Sequence, residues 1–417
     1  MVNDLQRMMS ALTPGERIFI SGGAGEPTAL LEAWASEPER GGGLVITSSA
    51  IPGMNRFDFS RLHPTARVRG LFMQPAFATL QRSGRFEQIP TSYAGFSRLI
   101  RAQAQTFDTV IVQASAPDAS GRCSLGPTVE FLPLALSHCK RAFLLMNART
   151  ARVAGAPSVA LKDFSLTAET DTALPTYAMG PIDEASKQIA RHVAPWIGDG
   201  ARLQTGIGKV PGALLHLLRD RKHLVLSGGM FGDGTMTLEA AGALSTQNPH
   251  LACALVGEAA LYDWARERSA FHLRGCEQTH DPAQLSAVQN FIAVNSAIEV
   301  DLWGQCALEH ASQAAVSGAG GAPDFARAAR LNPTGLSVVA LPATAVRGTR
   351  SRIVATLTPP AVSTLSRTDV DLVVTEYGVA DLRALGVYAR AEALIEIAAP
   401  AFRSELKTQW AALVQSL

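Results

Sequence analysis

Apolar positions along the chain form short, nearly continuous runs that alternate with longer amphipathic runs. The short runs are rich in β-branched residues, which is typical of strands buried on both faces of a parallel sheet. They predict strands at Arg17–Ser21, Leu44–Ser48, Thr109–Gln113, Ala142–Met146, Arg202–Thr205, His223–Leu226, Leu251–Val256, Phe291–Asn295, Ser337–Leu341 and Asp371–Thr375. The amphipathic runs predict helices at Pro27–Glu37, Asp183–Trp196, Pro211–Arg219 and Ala389–Ile397. This alternation predicts an α/β architecture.

A repeat suggests how the pattern divides. The stretch Gly22-Gly-Ala-Gly-Glu-Pro27-Thr-Ala-Leu-Leu31 resembles Gly206-Ile-Gly-Lys-Val-Pro211-Gly-Ala-Leu-Leu215, nearly half a chain later. In each, a glycine turn follows a predicted strand, and a proline starts an apolar helix, where its missing N–H costs nothing. We therefore predict two related α/β domains, residues 1–180 and 181–417, joined near Thr176–Asp183. A chance match between two common glycine turns is the alternative.

Composition narrows the function classes. The 417 residues are 47% hydrophobic, enough for two or three domains with large cores. Lys and Arg number 37 and Asp and Glu number 36, and this balance gives no support for a nucleic-acid or membrane partner. An anionic ligand would have to be held by local groups such as backbone N–H.

The cysteines and the chain start bear on location. The five cysteines are scattered without a Cys-x-x-Cys motif, which predicts a reduced, cytoplasmic protein without a metal site. The stretch Met1–Pro14 does not resemble a signal peptide, and no apolar run is long enough to span a membrane.

Three glycine-rich loops in the second half are candidates for ligand binding: Thr205–Gly208, Ser227–Gly234 and Ser317–Gly321. Glycine allows backbone N–H groups to approach a phosphate or a developing oxyanion closely. Any one loop is more simply a tight turn, but three in one half favour a site. The loops lack the Walker and dinucleotide-binding fingerprints. Cys276 and His280 could form a thiolate pair, although an unrelated buried cysteine and histidine are the simpler interpretation.

Five ordered motifs carry a resemblance to the acetyl-CoA hydrolase/transferase family, in particular to its 4-hydroxybutyrate and acetate CoA-transferases. The likeness spans nearly the whole length and is strongest from Leu203 onward. The motifs are Gln204-Thr-Gly-Ile-Gly208 with Pro211, Met230-Phe-Gly-Asp-Gly234 with Glu239-Ala-Ala-Gly242, Asn295-Ser-Ala-Ile-Glu-Val-Asp-Leu-Trp-Gly-Gln305, Ser317-Gly-Ala-Gly-Gly-Ala-Pro-Asp-Phe325 and Val374-Thr-Glu-Tyr-Gly-Val-Ala-Asp-Leu-Arg383.

The resemblance implies two CoA-transferase-type (NagB/RpiA-like) parallel-sheet domains with the site in the cleft between them. It implies a glutamate that attacks an acyl-CoA, a glutamyl-CoA thioester, and a small carboxylate acceptor. It also implies a cytoplasmic homodimer that uses coenzyme A and no metal. Oxyanion donors would lie at Ile207, Gly208, Gly320 and Gly321, and substrate or CoA contacts at Gly206, Met230, Phe231, His280, Ser317, Gly318 and Ala322.

The chain differs from the family's pattern at the positions that the resemblance assigns to catalysis. Where the family has Thr-Glu-Met-Phe-Ser-Asp-Gly, with the nucleophilic glutamate, this chain has Gly228-Gly229-Met230-Phe231-Gly232-Asp233-Gly234. Glycine cannot form a thioester. In addition, Ala322 replaces the family's glutamine.

Three hypotheses follow from the missing glutamate. The first is direct attack on the thioester, giving hydrolysis or acyl transfer. The second is CoA transfer through another carboxylate, for which the candidates are Asp233, Glu239, Glu299 and Asp301. A structural role, or a role in holding the site, is the simpler interpretation of Glu299 and Asp301. The third is acyl-CoA binding without catalysis. The sequence does not identify the acyl group or the acceptor.

Overall fold

The computed structural model describes residues 4–311 and 314–415, which divide into two compact units. Unit 1 contains the chain up to Ala178 together with Gly229–Phe231 and Pro249–Thr279. Unit 2 contains Met179–Gly228, Gly232–Asn248 and the chain from His280 onward. The domain boundary at residue 180 stays a prediction.

Unit 1 is built on a seven-stranded sheet in which every neighbouring pair is parallel. Its strands, in spatial order, are Phe86–Gln88, Arg67–Gly70, Val45–Ser48, Arg17–Ile20, Phe107–Ala114, Cys139–Asn147 and Leu166–Thr170. The inner strands are buried almost throughout, as their continuous apolar runs predict.

The order of these strands reverses at the centre of the sheet. From Arg17–Ile20 the chain builds outward in one direction through Val45–Ser48, and it later builds in the other direction from Phe107–Ala114. The carboxyl ends of Arg17–Ile20 and Phe107–Ala114 therefore form a topological switch point, where ligands bind in open α/β sheets. The turn Gly23–Gly25 and the buried Glu26 follow at this place.

The helices of unit 1 are Asp4–Ser10, Thr28–Ser36, Ala78–Arg82, Tyr93–Arg101, Leu132–Ser137, Ala259–Trp264 and Cys276–Thr279. Its smaller strand pairs are Arg122–Ser124 with Ser158–Ala160, His250–Ala252 with Phe271–Leu273, and Met230–Phe231 with Ala254–Leu255. Part of the core is aromatic: the rings of Phe19, Tyr93 and Phe96 all pack on Phe131.

Unit 2 is built on a six-stranded sheet. Its strands, in spatial order, are Val225–Leu226, Arg202–Thr205, Phe291–Asn295, Leu336–Ala340, Leu372–Thr375 and Gly378–Asp381. The first five are parallel, and Gly378–Asp381 is an antiparallel edge strand. The two sheets confirm the predicted α/β class.

Unit 2 also has a switch point, between Arg202–Thr205 and Phe291–Asn295. The Gly206–Gly208 turn follows Arg202–Thr205 just as the Gly22–Gly25 turn follows Arg17–Ile20, so the two copies of the repeat occupy equivalent topological places. The prolines differ. Pro27 precedes the helix Thr28–Ser36, whereas Pro211 is the third residue of Lys209–Leu217, so that helix begins two residues earlier than predicted.

The helices of unit 2 are Glu184–Val193, Lys209–Leu217, Gly234–Ala240, Pro282–Ser286, Ala322–Leu331, Val387–Glu396 and Pro400–Val414. Its small sheets comprise Cys306–Ala307 with Glu299–Asp301 and Ile353–Val354, His310–Ala311 with Ala314–Ala315, and Thr344–Ala345 with Arg350–Ser351. Across residues 4–311 and 314–415, no helix combines the length and the apolar character that crossing a membrane requires.

The predicted strand Leu251–Val256 is wrong as one continuous element. It is two short strands, His250–Ala252 and Ala254–Leu255, which pair with different partners on either side of Cys253. The apolar run is continuous in sequence, but its backbone hydrogen bonds change partner there.

Candidate functional site

The predicted site residues are distributed over both units. Gly229, Met230 and Phe231 belong to unit 1, and the others belong to unit 2: Gly206, Ile207, Gly208, Asp233, His280, Ser317, Gly318, Gly320, Gly321 and Ala322.

The Gly206–Gly208 turn offers half-buried but sterically open backbone at the switch point of unit 2. A Cβ atom built at Gly206 or Gly208 would meet no atom within 4 Å, so there is free space in front of both residues. Gly208 has φ +112° and precedes the helix Lys209–Leu217, whose first N–H groups lack partners within the helix. A helix N-terminus with open backbone before it suits a phosphate or a developing oxyanion.

Two buried side-chain amides lie at the ends of the adjacent strands. Gln204 Nε2 is 3.5 Å from Asn295 Oδ1, and both side chains are buried. Gln204 Oε1 and Asn295 Nδ2 have no hydrogen-bond partner among the described residues. A buried polar atom without a partner costs about 1–3 kcal/mol, so this pair suits a site that a polar ligand completes. Neither side chain was predicted as a site residue, although both stand inside the quoted motifs.

The Ser317–Gly321 loop leads into the helix Ala322–Leu331. Ser317 N donates to the Glu309 carbonyl at 3.2 Å, Gly318 is buried, and Gly320 adopts φ +56°. Gly321 is the N-cap residue of the helix, and Ala322 is its first residue. This loop therefore also ends at a helix N-terminus, as an oxyanion-binding role requires.

His280 lies against this helix start. Its ring stacks at 4.7 Å on Phe325, and a Cβ atom at Gly321 would lie 2.5 Å from the ring. Burial lowers the pKa of His280 to about 3, so the imidazole is neutral at physiological pH. The structure thus brings together two predicted residues, His280 and Gly321, through packing. A substrate contact by His280 stays a prediction.

Gly321→Ala is expected to destabilise the protein by about 2–3 kcal/mol, because the added methyl group overlaps the buried His280 and Phe325 rings. Urea unfolding measures the loss. Gly386→Ala is the matched control: Gly386 is also the N-cap of a helix, and a Cβ atom there meets nothing within 4 Å. Equal effects of the two substitutions would contradict the packing argument.

The Gly229 segment is held by backbone hydrogen bonds within unit 1. The Gly229 carbonyl accepts from Cys253 N at 2.9 Å, from Cys253 Sγ at 2.9 Å and from Ala254 N at 3.2 Å. Val256 N donates to the Phe231 carbonyl at 2.9 Å, and the Phe231 ring packs on Phe271. Met230 is half-buried. These bonds fix the register of the strand, so Gly229 cannot exchange places with a neighbouring residue.

The candidate replacement carboxylates have structural partners. Glu299 accepts from Arg350 Nη2 at 2.7 Å and from Thr358 N at 3.2 Å. Asp301 accepts from the backbone of Trp303 and from the backbone and side chain of Gln305. Both carboxylates are buried. This engagement favours a structural role for each.

The other two candidate carboxylates, Asp233 and Glu239, lie at the two ends of one short helix of unit 2. Asp233 is the N-cap of the helix Gly234–Ala240, and Glu239 lies near the end of that helix. Both are half-buried.

The environment of Cys276 favours a buried structural cysteine, the simpler of the two interpretations of the sequence, over a thiolate. Its side chain is buried, and burial raises the pKa of the thiol well above its usual value, with Cys253 and Glu130 nearby adding to the shift. A thiol with a raised pKa stays protonated and is a poor nucleophile.

Two buried glutamates in unit 1 escaped sequence analysis. Glu130 accepts a hydrogen bond of 2.6 Å from Ser49 Oγ, and burial raises its pKa to about 7. Glu26 follows the Gly23–Gly25 turn, and burial raises its pKa to about 7 as well. The sequence offered one indication for Glu26, its position between the glycine turn and Pro27 in the repeat, and none for Glu130.

Glu130→Gln is expected to flatten the pH dependence of stability. A folded-state pKa of about 7, against an ordinary value of 4.5, means that the native state holds the proton more tightly, so stability falls as pH rises from 4.5 to 7. Glutamine removes this loss. Urea unfolding at about pH 5 and about pH 8 measures it. Glu39→Gln, at a side chain that is 88% exposed, is the control. If the free energy of unfolding of Glu130→Gln still differed between the two pH values as much as that of the wild type, the argument would be contradicted.

The fold defined by these units is that of the CoA-transferases. The structure of a 4-hydroxybutyrate CoA-transferase from Porphyromonas gingivalis matches with a TM-score of 0.79 and 26% identity, covering 98% of this chain and 96% of that one. RipA from Yersinia pestis matches with a TM-score of 0.90 and 25% identity, covering 98% and 96%.

The sequence comparisons assign the family. Residues 2–172 match the acetyl-CoA hydrolase/transferase N-terminal domain, and residues 257–410 match the acetyl-CoA hydrolase/transferase C-terminal domain. The chain is 30% identical to a 4-hydroxybutyrate coenzyme A transferase of Clostridium kluyveri over 97% of its own length and 96% of that protein. It is 29% identical to an acetyl-CoA hydrolase of Kluyveromyces lactis over 52% of its length and 43% of that protein. The chain belongs to the acetyl-CoA hydrolase/transferase family.

Proposed function

We propose that this protein acts on an acyl-CoA thioester by direct attack, with water or a small acceptor as the nucleophile, and releases free CoA. The observation that carries the proposal is glycine at position 229, directly before the strand Met230–Phe231, with three hydrogen bonds to the Gly229 carbonyl that hold the register. Without a carboxylate there, no glutamyl-CoA forms at that position. The names of the relatives cover both possible outcomes, transfer and hydrolysis.

The roles proposed for unit 2 follow from its two loops. The N–H groups around Ile207 and Gly208, at the start of Lys209–Leu217, would stabilise the oxyanion that develops when a thioester carbonyl is attacked. Those around Gly320 and Gly321 would do the same at the start of Ala322–Leu331. Coenzyme A is the leaving group and would contact Gly206, Ser317 and Gly318. No metal is invoked.

Carboxylate-dependent CoA transfer is the second candidate, and the engagement of Glu299 and Asp301 weighs against it. A carboxylate with two or three structural hydrogen bonds must lose them before it can attack, and a displacement of about 1 Å from the productive position already costs about 100-fold in rate.

The test is incubation with a panel of acyl-CoA thioesters, with and without small carboxylic acids, followed by assay of free CoA and of CoA exchange. Direct attack predicts free CoA, single-displacement kinetics and no borohydride-sensitive enzyme-CoA adduct. Ping-pong exchange with an adduct would support the second candidate. Binding of acyl-CoA without turnover would identify a non-catalytic binding protein.

A further inference from the structure

Four buried polar side chains cluster at the switch point of unit 1. Ser21, Thr47, Glu26 and Thr128 are each at most 2% exposed. Ser21 Oγ, Thr47 Oγ1, Thr128 Oγ1 and Glu26 Oε2 have no hydrogen-bond partner among the described residues. Each such atom costs about 1–3 kcal/mol. Thr47 lies in a strand and Ser21 directly follows one, while Glu26 and Thr128 lie in connecting segments, and both Ser21 and Thr128 border Gly25. Four such atoms in this region indicate a place built for something other than stability.

Glu26 is the only ionisable member of this cluster, and its loop is firmly anchored. Asn55 Oδ1 accepts from the backbone N–H of Gly23 at 2.8 Å, and Asn55 Nδ2 donates to the Gly23 carbonyl at 2.9 Å. Gln113 Nε2 donates to the carbonyls of Ala24 and Glu26, both at 3.1 Å. The Glu26 carboxyl is therefore placed by a rigid backbone, with one oxygen unpartnered.

A short path of contacts within unit 1 connects this loop to Gly229. A Cβ atom at Gly23 would lie 3.0 Å from Thr128 Oγ1, and one at Gly25 would lie 3.2 Å from Thr128 Cβ. Thr128 forms a bridge with Ala254, which pairs with Met230. Two ladder spacings put the backbones of Thr128 and Met230 roughly 10 Å apart. The turn that Glu26 follows is thus connected, through Thr128 and Ala254, to the strand Met230–Phe231 next to Gly229.

We propose that Glu26 is the catalytic base of this protein, which activates the nucleophile that attacks the thioester; the inference rests on the proposed direct attack. In hydrolysis, the Glu26 carboxylate takes a proton from water as the water oxygen forms its bond to the thioester carbon. When the tetrahedral intermediate collapses, the C–S bond breaks and the CoA thiolate takes the proton from Glu26. The product acid loses its own proton to solvent.

The electrostatics of Glu26 suit this role. Burial raises its pKa to about 7, while hydrogen bonds with Asn55 and Thr28 oppose the rise. A base with a pKa near the working pH combines an available carboxylate with sufficient basicity. Titratable groups on neighbouring elements include the buried Glu130, on the segment that carries Thr128, and two exposed residues, Glu32 on the helix Thr28–Ser36 and Arg56 beside Asn55. Asp108 lies near the start of the strand Phe107–Ala114, and the buried Cys253 precedes Ala254.

Glu26→Gln tests the proposal, because glutamine keeps the shape and hydrogen-bonding capacity of the side chain but cannot accept the proton. We expect kcat for CoA release to fall by about 100-fold or more, with KM nearly unchanged. In the wild type, kcat/KM should rise with pH to a plateau, with a midpoint near the pKa of about 7. That dependence should disappear in Glu26→Gln.

Glu130→Gln is the matched control. Glu130 is buried in the same unit, and its pKa is also raised to about 7, but Ser49 already bonds its carboxylate. This variant should keep the wild-type pH dependence of kcat/KM, although its stability should depend less on pH. Circular dichroism and urea unfolding establish that both variants are folded, and Glu26→Asp provides a second, smaller perturbation. A folded Glu26→Gln variant with the wild-type rate and pH profile would overturn the inference alone. A wild-type protein that releases no CoA from any thioester would overturn the proposed function, and this inference with it.

Discussion

Gly229→Glu is expected to give the protein a CoA-exchange activity that the wild type lacks. The strand Met230–Phe231 is held by bonds to the carbonyl groups of Gly229 and Phe231, and a side chain at position 229 removes none of them. The new carboxylate would stand where the family's nucleophile stands. We expect exchange between an acyl-CoA and acetate to rise by about 100-fold or more, the order that one well-placed catalytic group supplies.

The decisive measurement is the covalent intermediate. Borohydride treatment in the presence of acyl-CoA should modify Gly229→Glu at position 229, as detected by peptide mass spectrometry. Gly229→Gln has nearly the same size and no nucleophilic oxygen, so it should give neither adduct nor exchange. Gly228→Glu places the carboxylate one residue away, where even the Cβ atom lies 2.9 Å from the Gln204 side chain. A folded Gly229→Glu variant without an adduct would mean that more than the glutamate has diverged.

Alanine substitutions in the two glycine turns of the repeat are expected to have very different effects on stability. A Cβ atom at Gly22 would lie 2.1 Å from the Ser49 carbonyl oxygen and 2.7 Å from the Ala50 Cα, so Gly22→Ala forces two backbone segments apart. We expect a loss of about 3 kcal/mol or more in unfolding free energy. Gly206→Ala meets no atom within 4 Å and should change stability by less than about 1 kcal/mol.

For CoA affinity, we expect Gly206→Ala to have a large effect although its effect on stability is small. The methyl group of Gly206→Ala would occupy the space through which a ligand approaches the backbone, so CoA affinity should fall about tenfold or more, a change of about 1.4 kcal/mol. Urea unfolding and calorimetric titration with CoA measure the two quantities. A Gly206→Ala variant that is both stable and unchanged in CoA affinity would remove this turn from the binding site.

The sequence predicted most of the central strands because buried parallel strands leave a direct mark, a run of apolar residues bounded by turns. Arg202–Thr205 and Phe291–Asn295 were predicted with the bounds that the structure has. The break at Cys253 could not be predicted, because it depends on hydrogen bonds to Gly229, a residue distant in the chain. The motifs around Gly206 and Gly321 located both glycine loops.

The buried carboxyl groups were beyond the reach of sequence analysis for a different reason. Glu26 and Glu130 owe their raised pKa values to burial, and burial of a glutamate in a loop has no periodic pattern. The packing of His280 on Phe325 likewise depends on where the helix Ala322–Leu331 lies. Glu299 was visible in a motif, but its partner was not: Arg350, which engages the carboxylate, lies outside that motif.

Unit 1 is assembled from three separate segments of the chain, which affects how the protein folds during synthesis. After Ala178, the remaining parts of unit 1 are Gly229–Phe231 and Pro249–Thr279. During synthesis, the backbone groups of residues 127–130 that bond to Cys253 and Leu255 wait until those residues leave the ribosome. The first unit therefore cannot finish folding before the 101 residues that follow Ala178, up to Thr279, have emerged. A nascent chain stalled soon after Ala178 would expose incomplete surfaces, and chaperones would be expected to bind it there.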